Sequence, residues 1–182
     1  MIAAMIRALP LLWLLLLLPH QASAQPAIEI SGGYTIARDP RDDLTLPAGW
    51  MAGVAVDLSH AISAVADLSG QYKTVALVGS EARISVITVM AGVRASARIG
   101  SLTESVQVLA GVVRTSGSAF GATSMGRSFG IQPGFGVDVP LARRLSARGE
   151  LDLRLIGSQP ETGNRGYQYR AVAALVYRAK PR

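Results

Sequence analysis

The chain has 182 residues, with 18 lysines and arginines against 12 aspartates and glutamates and no cysteine. That is the length of one domain, and without cysteine it has neither disulfides nor thiolate metal sites, so backbone ladders and packing must hold it. The formal charge of +6 is spread as one or two arginines per segment, with no basic run and no interleaved aromatics, which argues against nucleic acid as a partner.

At the start, Arg7 precedes a dense apolar run from Leu11 to Leu18 around Trp13, followed by Pro19 and Ala22-Ser23-Ala24. This is the three-part layout of a secretory signal peptide, residues 1–24, with cleavage expected after Ala24. Its apolar core is too short to cross a bilayer of about 30 Å as a helix. In residues 25–182 the best further apolar stretch, Ile84 to Val93, is broken by Ser85, Thr88 and Gly92. Membrane residence after export is therefore as a closed barrel or at the surface, because open sheets cannot satisfy their backbone in lipid.

Residues 25–182 are predicted to form eight strands: Ile28 to Ile36, Gly49 to Leu58, Ile62 to Tyr72, Ile84 to Ser96, Glu104 to Thr115, Phe129 to Val139, Leu145 to Ile156 and Tyr167 to Arg178. Each is near the roughly 9–11 residues that a tilted membrane strand needs. Ser59 to Ala61, Arg98 to Thr103 and Pro140 to Arg144 are short connections. Ala37 to Ala48, Thr74 to Arg83, Ser116 to Ser128 and Gly157 to Gly166 are longer and rich in Gly, Ser, Pro and charge. With a periplasmic N-terminus the short turns all fall on the periplasmic side, as in outer-membrane barrels. Pro133, inside the sixth strand, is expected to mark a bulge or kink.

The period of two assigns faces. One face carries Ile28, Ile30, Val54, Val89, Val93, Val106, Val108, Val112, Phe129, Ile131, Phe135, Leu151, Leu153, Leu155 and Leu175. The other carries Glu29, Asp57, Asp67, Lys73, Arg94, Asp138, Arg148, Glu150, Asp152, Arg154 and Arg170 with Gln107 and Gln132, interleaved with Gly33, Gly53, Ser69, Gly92, Gly111, Gly134 and Gly136. A soluble sandwich would bury the first face, whereas a membrane barrel points it at lipid and encloses the charges. The expected fold is an all-β, eight-stranded antiparallel up-and-down transmembrane β-barrel. Its lumen is narrow enough for side chains to fill, so the acids and bases are expected to form a paired network across it. Tyr34, Trp50, Tyr167, Tyr169 and Tyr177 lie near strand ends and are expected to form aromatic girdles.

Reactive groups are sparse. His60, in the turn Ser59-His60-Ala61 with Asp57 nearby, is the sole histidine after the leader and reads as a solvated turn residue rather than a base for a hydroxyl nucleophile. Asp39, Asp42 and Asp43 are interrupted by Arg38 and Arg41, so no metal is expected. Neither Gly32-Gly33 nor Gly134-Gly136 opens a helix after a strand, so no cofactor loop is expected.

Taken in order, ISGGYTIARD from Ile30, LPAGWMAGVAVDLS from Leu46, ISAVADLSGQYKT from Ile62, VMAGVRAS from Val89, VQVLAGVVR from Val106, FGIQPGFGVDVPLARRLSARGELDLR from Phe129 and YRAVAALVYR from Tyr169 resemble the small outer-membrane β-barrel domain family, which includes the OmpA- and OmpX-type barrels. The resemblance implies outer-membrane lipid and the barrel-assembly machinery as partners. The family's last strand typically ends in an aromatic residue, whereas here Tyr177 is followed by Arg178, Ala179, Lys180, Pro181 and Arg182. The expected function is a non-enzymatic envelope or surface-interaction role for an unidentified surface ligand, with Ser116 to Ser128, including Phe120 and Met125, as the contact loop. The alternatives are a secreted lipocalin-like carrier of an apolar ligand, a narrow-pore channel, or an envelope enzyme using His60.

Overall fold

In the computed structural model, residues 27–41, 44–77, 80–119, 122–157 and 166–179 are described. They contain β1 (Ile28–Asp39), β2 (Leu44–Leu46), β3 (Ala48–Asp57), β4 (Ile62–Leu77), β5 (Ser80–Ile99), β6 (Leu102–Ala119), β7 (Ala122–Ala142), β8 (Leu145–Ile156) and β9 (Gly166–Arg178). The proposed leader lies outside these residues.

Consecutive staves pair antiparallel throughout, and β9 returns to pair with β1 from Glu29↔Arg178 to Arg38↔Tyr169. The eight staves thus close into a barrel in which each is paired on both sides along its main length, while the short β2 pairs with β1 alone. The short β2 is the upper part of the β3 stave. Both run beside β1, and the register slips by one residue between Tyr34↔Trp50 and Ala37↔Leu46, where Pro47 intervenes. Proline lacks the N–H that a regular ladder would use there. The barrel therefore has eight staves built from nine strand segments.

Both chain ends of the described barrel, Ile28 and Arg178, lie at one end, here called basal. The turns β3–β4, β5–β6 and β7–β8 share it, and the opposite end is distal. The β5–β6 turn is tight because Gly100 takes a positive φ of 61°, which glycine adopts without a Cβ penalty.

The strands differ from the sequence expectation mainly at the distal end. Residues 74–77 and 80–83, expected as a loop, instead extend the β4–β5 ladder to Leu77↔Ser80, and residues 116–119 and 122–128 extend β6–β7 to Ala119↔Ala122. Residues 37–48, also expected as loop, carry the end of β1 and all of β2. Pro133 marks no bulge: pairing with β8 lapses at Gln132 and Pro133 but resumes in the same register, from Ile131↔Leu155 to Gly134↔Asp152. The register shift falls between Pro140 and Ala142, beside the basal turn.

Facing follows the alternation. Along β8, Leu151 is 66% exposed and Leu155 is exposed, while Arg148, Glu150, Asp152 and Arg154 between them are enclosed. Glycine lets some staves approach closely. A Cβ at Gly111 would run into the Val89 carbonyl of the neighbouring stave, and one at Gly92 into the Val108 carbonyl, whereas one at Gly149, on the outside, would meet nothing. Gly111→Val should therefore destabilise the folded barrel by about 1–3 kcal/mol, the usual cost of overpacking. Gly149→Val should leave it within about 0.5 kcal/mol. Urea titration of both variants in detergent micelles, read by the heat-modifiable gel shift, checks the pair.

Candidate functional site

The strand period delivers the charged residues to the interior, and their heights along the staves sort them into levels. At the basal level Glu29 Oε1 accepts Arg94 Nη1 and lies against Arg148 Nη2, each at 2.8 Å. Arg148 also grips Asp138 side-on, Nε to Oδ1 at 2.6 Å and Nη2 to Oδ2 at 2.8 Å. Arg178 closes the ring, reaching Glu29 Oε2 and Asp138 Oδ2, both at 3.0 Å. Asp57 stands at this end half-buried and accepts the Ser63 hydroxyl at 2.7 Å.

Above it, Arg170 is the hub. Its Nε donates to Asp152 at 2.7 Å, Nη1 to Asp67 and Ser69 at 3.2 Å, and Nη2 to Glu150 at 3.1 Å. Gln107 ties the two levels together: its carbonyl accepts Arg94 Nε at 3.1 Å and its amide donates to Asp152 at 3.3 Å. A void of about 10 Å³ lies here, lined by Glu29, Ser31, Asp67, Arg94 and Gln107 among others, with room for at most about one water.

The next level changes in kind. Arg154 is 0% exposed, yet its partners are all neutral: Gln132 at 2.9 Å, Gln71 and Thr88 at 3.4 Å and Gln168 at 3.5 Å. It therefore belongs to the interior without forming an ion pair among the described residues. Distal to it Leu46, Val86 and Val113 are buried, backed by Leu44, Ile84 and Ile156, and the same apolar cluster continues down the β3–β6 wall through Met90, Leu109, Val65 and Ala55 beside the charged levels. Lys73, expected in the charge network, instead stands half-buried opposite Ile84 in this apolar zone and makes no ion pair among the described residues.

On the outside, Tyr34 and Trp50 are register partners. The Tyr34 hydroxyl donates to the Pro47 carbonyl, and Trp50 Nε1 donates to the Tyr72 hydroxyl at 3.3 Å. Tyr167 and Tyr169 meet edge to face with centroids 5.8 Å apart, and the Arg41 guanidinium lies 5.3 Å over Tyr167. These aromatics gather on the distal part of one side, from β9 through β1 and β3 to β4. Tyr177 is the member at the basal end.

Reactive groups are dispersed. His60 is exposed in the basal turn, and Ser59 Oγ accepts the amides of Ala61 and Ile62, which fixes the turn. Asp39 accepts the Arg41 amide at 3.1 Å. Asp42, Asp43 and Phe120 lie outside the described residues, as do Lys180, Pro181 and Arg182, while Met125 is exposed on β7. Sequence reasoning missed Arg178, although it falls in the inward series that includes Arg170. It also missed Tyr72 in the girdle, the collar residues Gln71, Thr88 and Gln168, and the apolar cap, where Leu46 is 0% exposed.

No protein-family model matches the sequence, and no curated protein matches it significantly. Solved structures do match the fold. Ail, the attachment invasion locus protein of Yersinia pestis, seen with the heparin analogue sucrose octasulfate, superposes with a TM-score of 0.62 at 15% identity, over 84% of this chain and 98% of Ail. Neisserial surface protein A gives 0.64 at 11% identity over 86% and 99% of the two chains. A major outer membrane protein of Thermus thermophilus gives 0.65 at 11% identity over 85% and 99%. The chain has the fold of the small eight-stranded outer-membrane β-barrels.

Removing Arg170 would leave Asp67 and Asp152 without their arginine and Glu150 with only the longer contact to Arg94 at 3.8 Å. Arg170→Met should therefore lower the unfolding free energy by about 3–5 kcal/mol, as for other broken buried pairs. The exposed Arg98→Met, at the basal turn, should change it by less than about 0.5 kcal/mol. Equilibrium urea unfolding of both variants in micelles measures the contrast.

Proposed function

We propose that this chain is a non-enzymatic, integral protein of a bacterial outer membrane. On this reading its lumen is plugged by charged side chains, and it serves envelope integrity or presents its distal hairpins to the surroundings. The observation that carries the proposal is the inverted partition: exposed leucines, valines and phenylalanines around the wall, with arginine–carboxylate pairs enclosed within it. That arrangement is unfavourable in water and favourable in hydrocarbon. The outward apolar positions of β7 run from Phe129 to Val139. At a rise of about 3.3 Å per residue and a tilt of about 40° they span about 25 Å, the height of the apolar band on such barrels.

The lumen argues for a structural rather than a transport role. At the charged level the void has room for about one water and is bounded by ion pairs, which supports a plugged lumen over an apolar ligand cavity or an open pore there. The polar and charged partners that close it are anchored on different staves, so opening a path would break several buried contacts at once. For catalysis, His60 faces solvent in a turn whose serine is occupied by backbone amides.

With the basal end periplasmic, the extended β4–β5 and β6–β7 hairpins stand beyond the outer leaflet and are the parts free to touch a surface partner. Outer-membrane lipid surrounds the wall. Tyr177, outward near the end of β9, takes the place of the terminal aromatic through which the assembly machinery would receive the last strand.

The absence of cysteine makes the topology directly readable. Met125→Cys should react with a membrane-impermeant maleimide on intact cells, and Ser59→Cys only after the outer membrane is permeabilised. Equal labelling of both on intact cells would rule out this orientation, and recovery of the protein in the soluble periplasmic fraction would rule out membrane residence. In a planar bilayer the purified protein should give no stable conductance steps.

A further inference from the structure

The distal rim of the wall is divided. On the side from β9 to β4 it carries tyrosines and tryptophan together with Arg38, exposed opposite Tyr169. On β5 to β7 the same belt carries arginines. Arg114 and Arg127 are direct cross-strand partners, both exposed on the outer face. Side chains directly opposite in an antiparallel pair have Cβ atoms about 5 Å apart, and like charges there repel. Their described neighbours on this face, Ile87, Val112, Ser116, Met125 and Phe129, include no acid. Arg114 Nη2 donates to the Met125 thioether at 3.1 Å, which offers no negative charge. Arg83 stands on the same face two outward positions further from the basal end, opposite Ser118.

One rung below the arginine pair is Val112↔Phe129, and below that Ala110↔Ile131 and Val108↔Pro133. Phe129 is 60% exposed, and the outward positions below it stay apolar down to Val139. Two cations therefore sit at the upper edge of the apolar band, directly above a strip of Val, Ala, Pro and Phe. A guanidinium fork matches phosphate oxygens in a way a single point charge does not. An anion between the two forks would turn their repulsion into a shared attraction.

Resting on the outer-membrane reading above, we propose that Arg114 and Arg127 clamp the phosphate of an anionic lipid in the outer leaflet, whose acyl chain lies along Val112, Phe129, Ala110 and Ile131. The apolar strip is what assigns the anion to a lipid rather than to free phosphate. The site makes the β6–β7 stave pair a place on the barrel that prefers anionic lipid, through two arginines directly opposite each other.

The test uses the full chain folded in zwitterionic detergent and titrated with dioleoyl phosphatidate, dioleoyl phosphatidylcholine or inorganic phosphate, with bound species read by native mass spectrometry. The wild type should hold one phosphatidate in preference to phosphatidylcholine. Arg114→Gln with Arg127→Gln should weaken that binding at least tenfold, and the equally exposed basal pair Arg143→Gln with Arg144→Gln should leave it unchanged. A hundredfold excess of inorganic phosphate should not displace the lipid. Equal loss in both double variants would overturn the site, and so would displacement by inorganic phosphate. A second readout guards against misfolding. In pure phosphatidylcholine vesicles the Arg114→Gln, Arg127→Gln variant should keep its heat-modifiable shift and unfold at an equal or higher urea concentration than wild type, because a repulsion is removed. A lower midpoint there would contradict the proposal. Failure of the wild type to insert into any vesicle would instead remove the outer-membrane reading beneath it, whereas insertion without phosphatidate preference would remove the lipid site alone.

Discussion

A polypeptide wall in hydrocarbon must satisfy every backbone N–H and C=O within itself, and the pairing of β9 with β1 is what achieves this here. Once the sheet is closed, each stave has only two directions for its side chains. The outward ones are apolar over most of the wall, and the charged residues between them are turned to the lumen. Eight staves leave a lumen about as wide as the side chains that fill it. Charge pairing in the interior is thus a consequence of closure, because a guanidinium or carboxylate placed there has no water to turn to.

The interior answers that constraint in two ways. In the basal half, arginines and carboxylates interlock so that single groups serve several partners: Glu29 contacts three arginines and Arg170 contacts three carboxylates. Such a network is over-determined, and a pair in it cannot open alone. In the distal half, Arg154 is held by glutamine and threonine oxygens, and above it Leu46, Val86 and Val113 exclude water as an ordinary core would. The ion pairs thus lie toward the basal end, with the amide-held Arg154 above them and Leu46, Val86 and Val113 at the distal mouth. Because β2 is folded back along β1, Leu46 is delivered to that mouth from what the sequence presents as a loop.

How much of this was legible depended on whether lipid imposed a contrast. Where outward residues meet hydrocarbon, as in Leu145 to Ile156, the alternation is sharp enough to place both ends of the strand and the facing of nearly every residue. In the distal hairpin neither face is buried, so Ser116, Gly117 and Ser118 show no alternation and read as loop although they continue the ladder. Within the lumen the period of two identifies inward residues but not their height. Asp67 and Arg170 are far apart in the chain, and their pairing depends on register accumulated around the barrel. Lys73 had the right facing and the wrong level. Arg178 was discounted because it follows the last aromatic, although the period carries it inward to Glu29 and Asp138. Leu46 and Met90 were hidden by the assumption that inward means polar. A closed barrel can line part of its lumen with either kind of side chain.

The division of the molecule also indicates where a specific activity can reside. Inside the wall, most polar side chains are already committed to one another, and changing one disturbs the others. Around the wall, an apolar residue can be exchanged for another at little cost, since lipid tails do not discriminate finely among aliphatic surfaces. Residues that are costly where they stand, and that the barrel does not need, are therefore the informative ones. Two arginines facing each other outside the wall meet that description: they lie directly opposite on β6 and β7, where like charges repel, and they fill no space in the core.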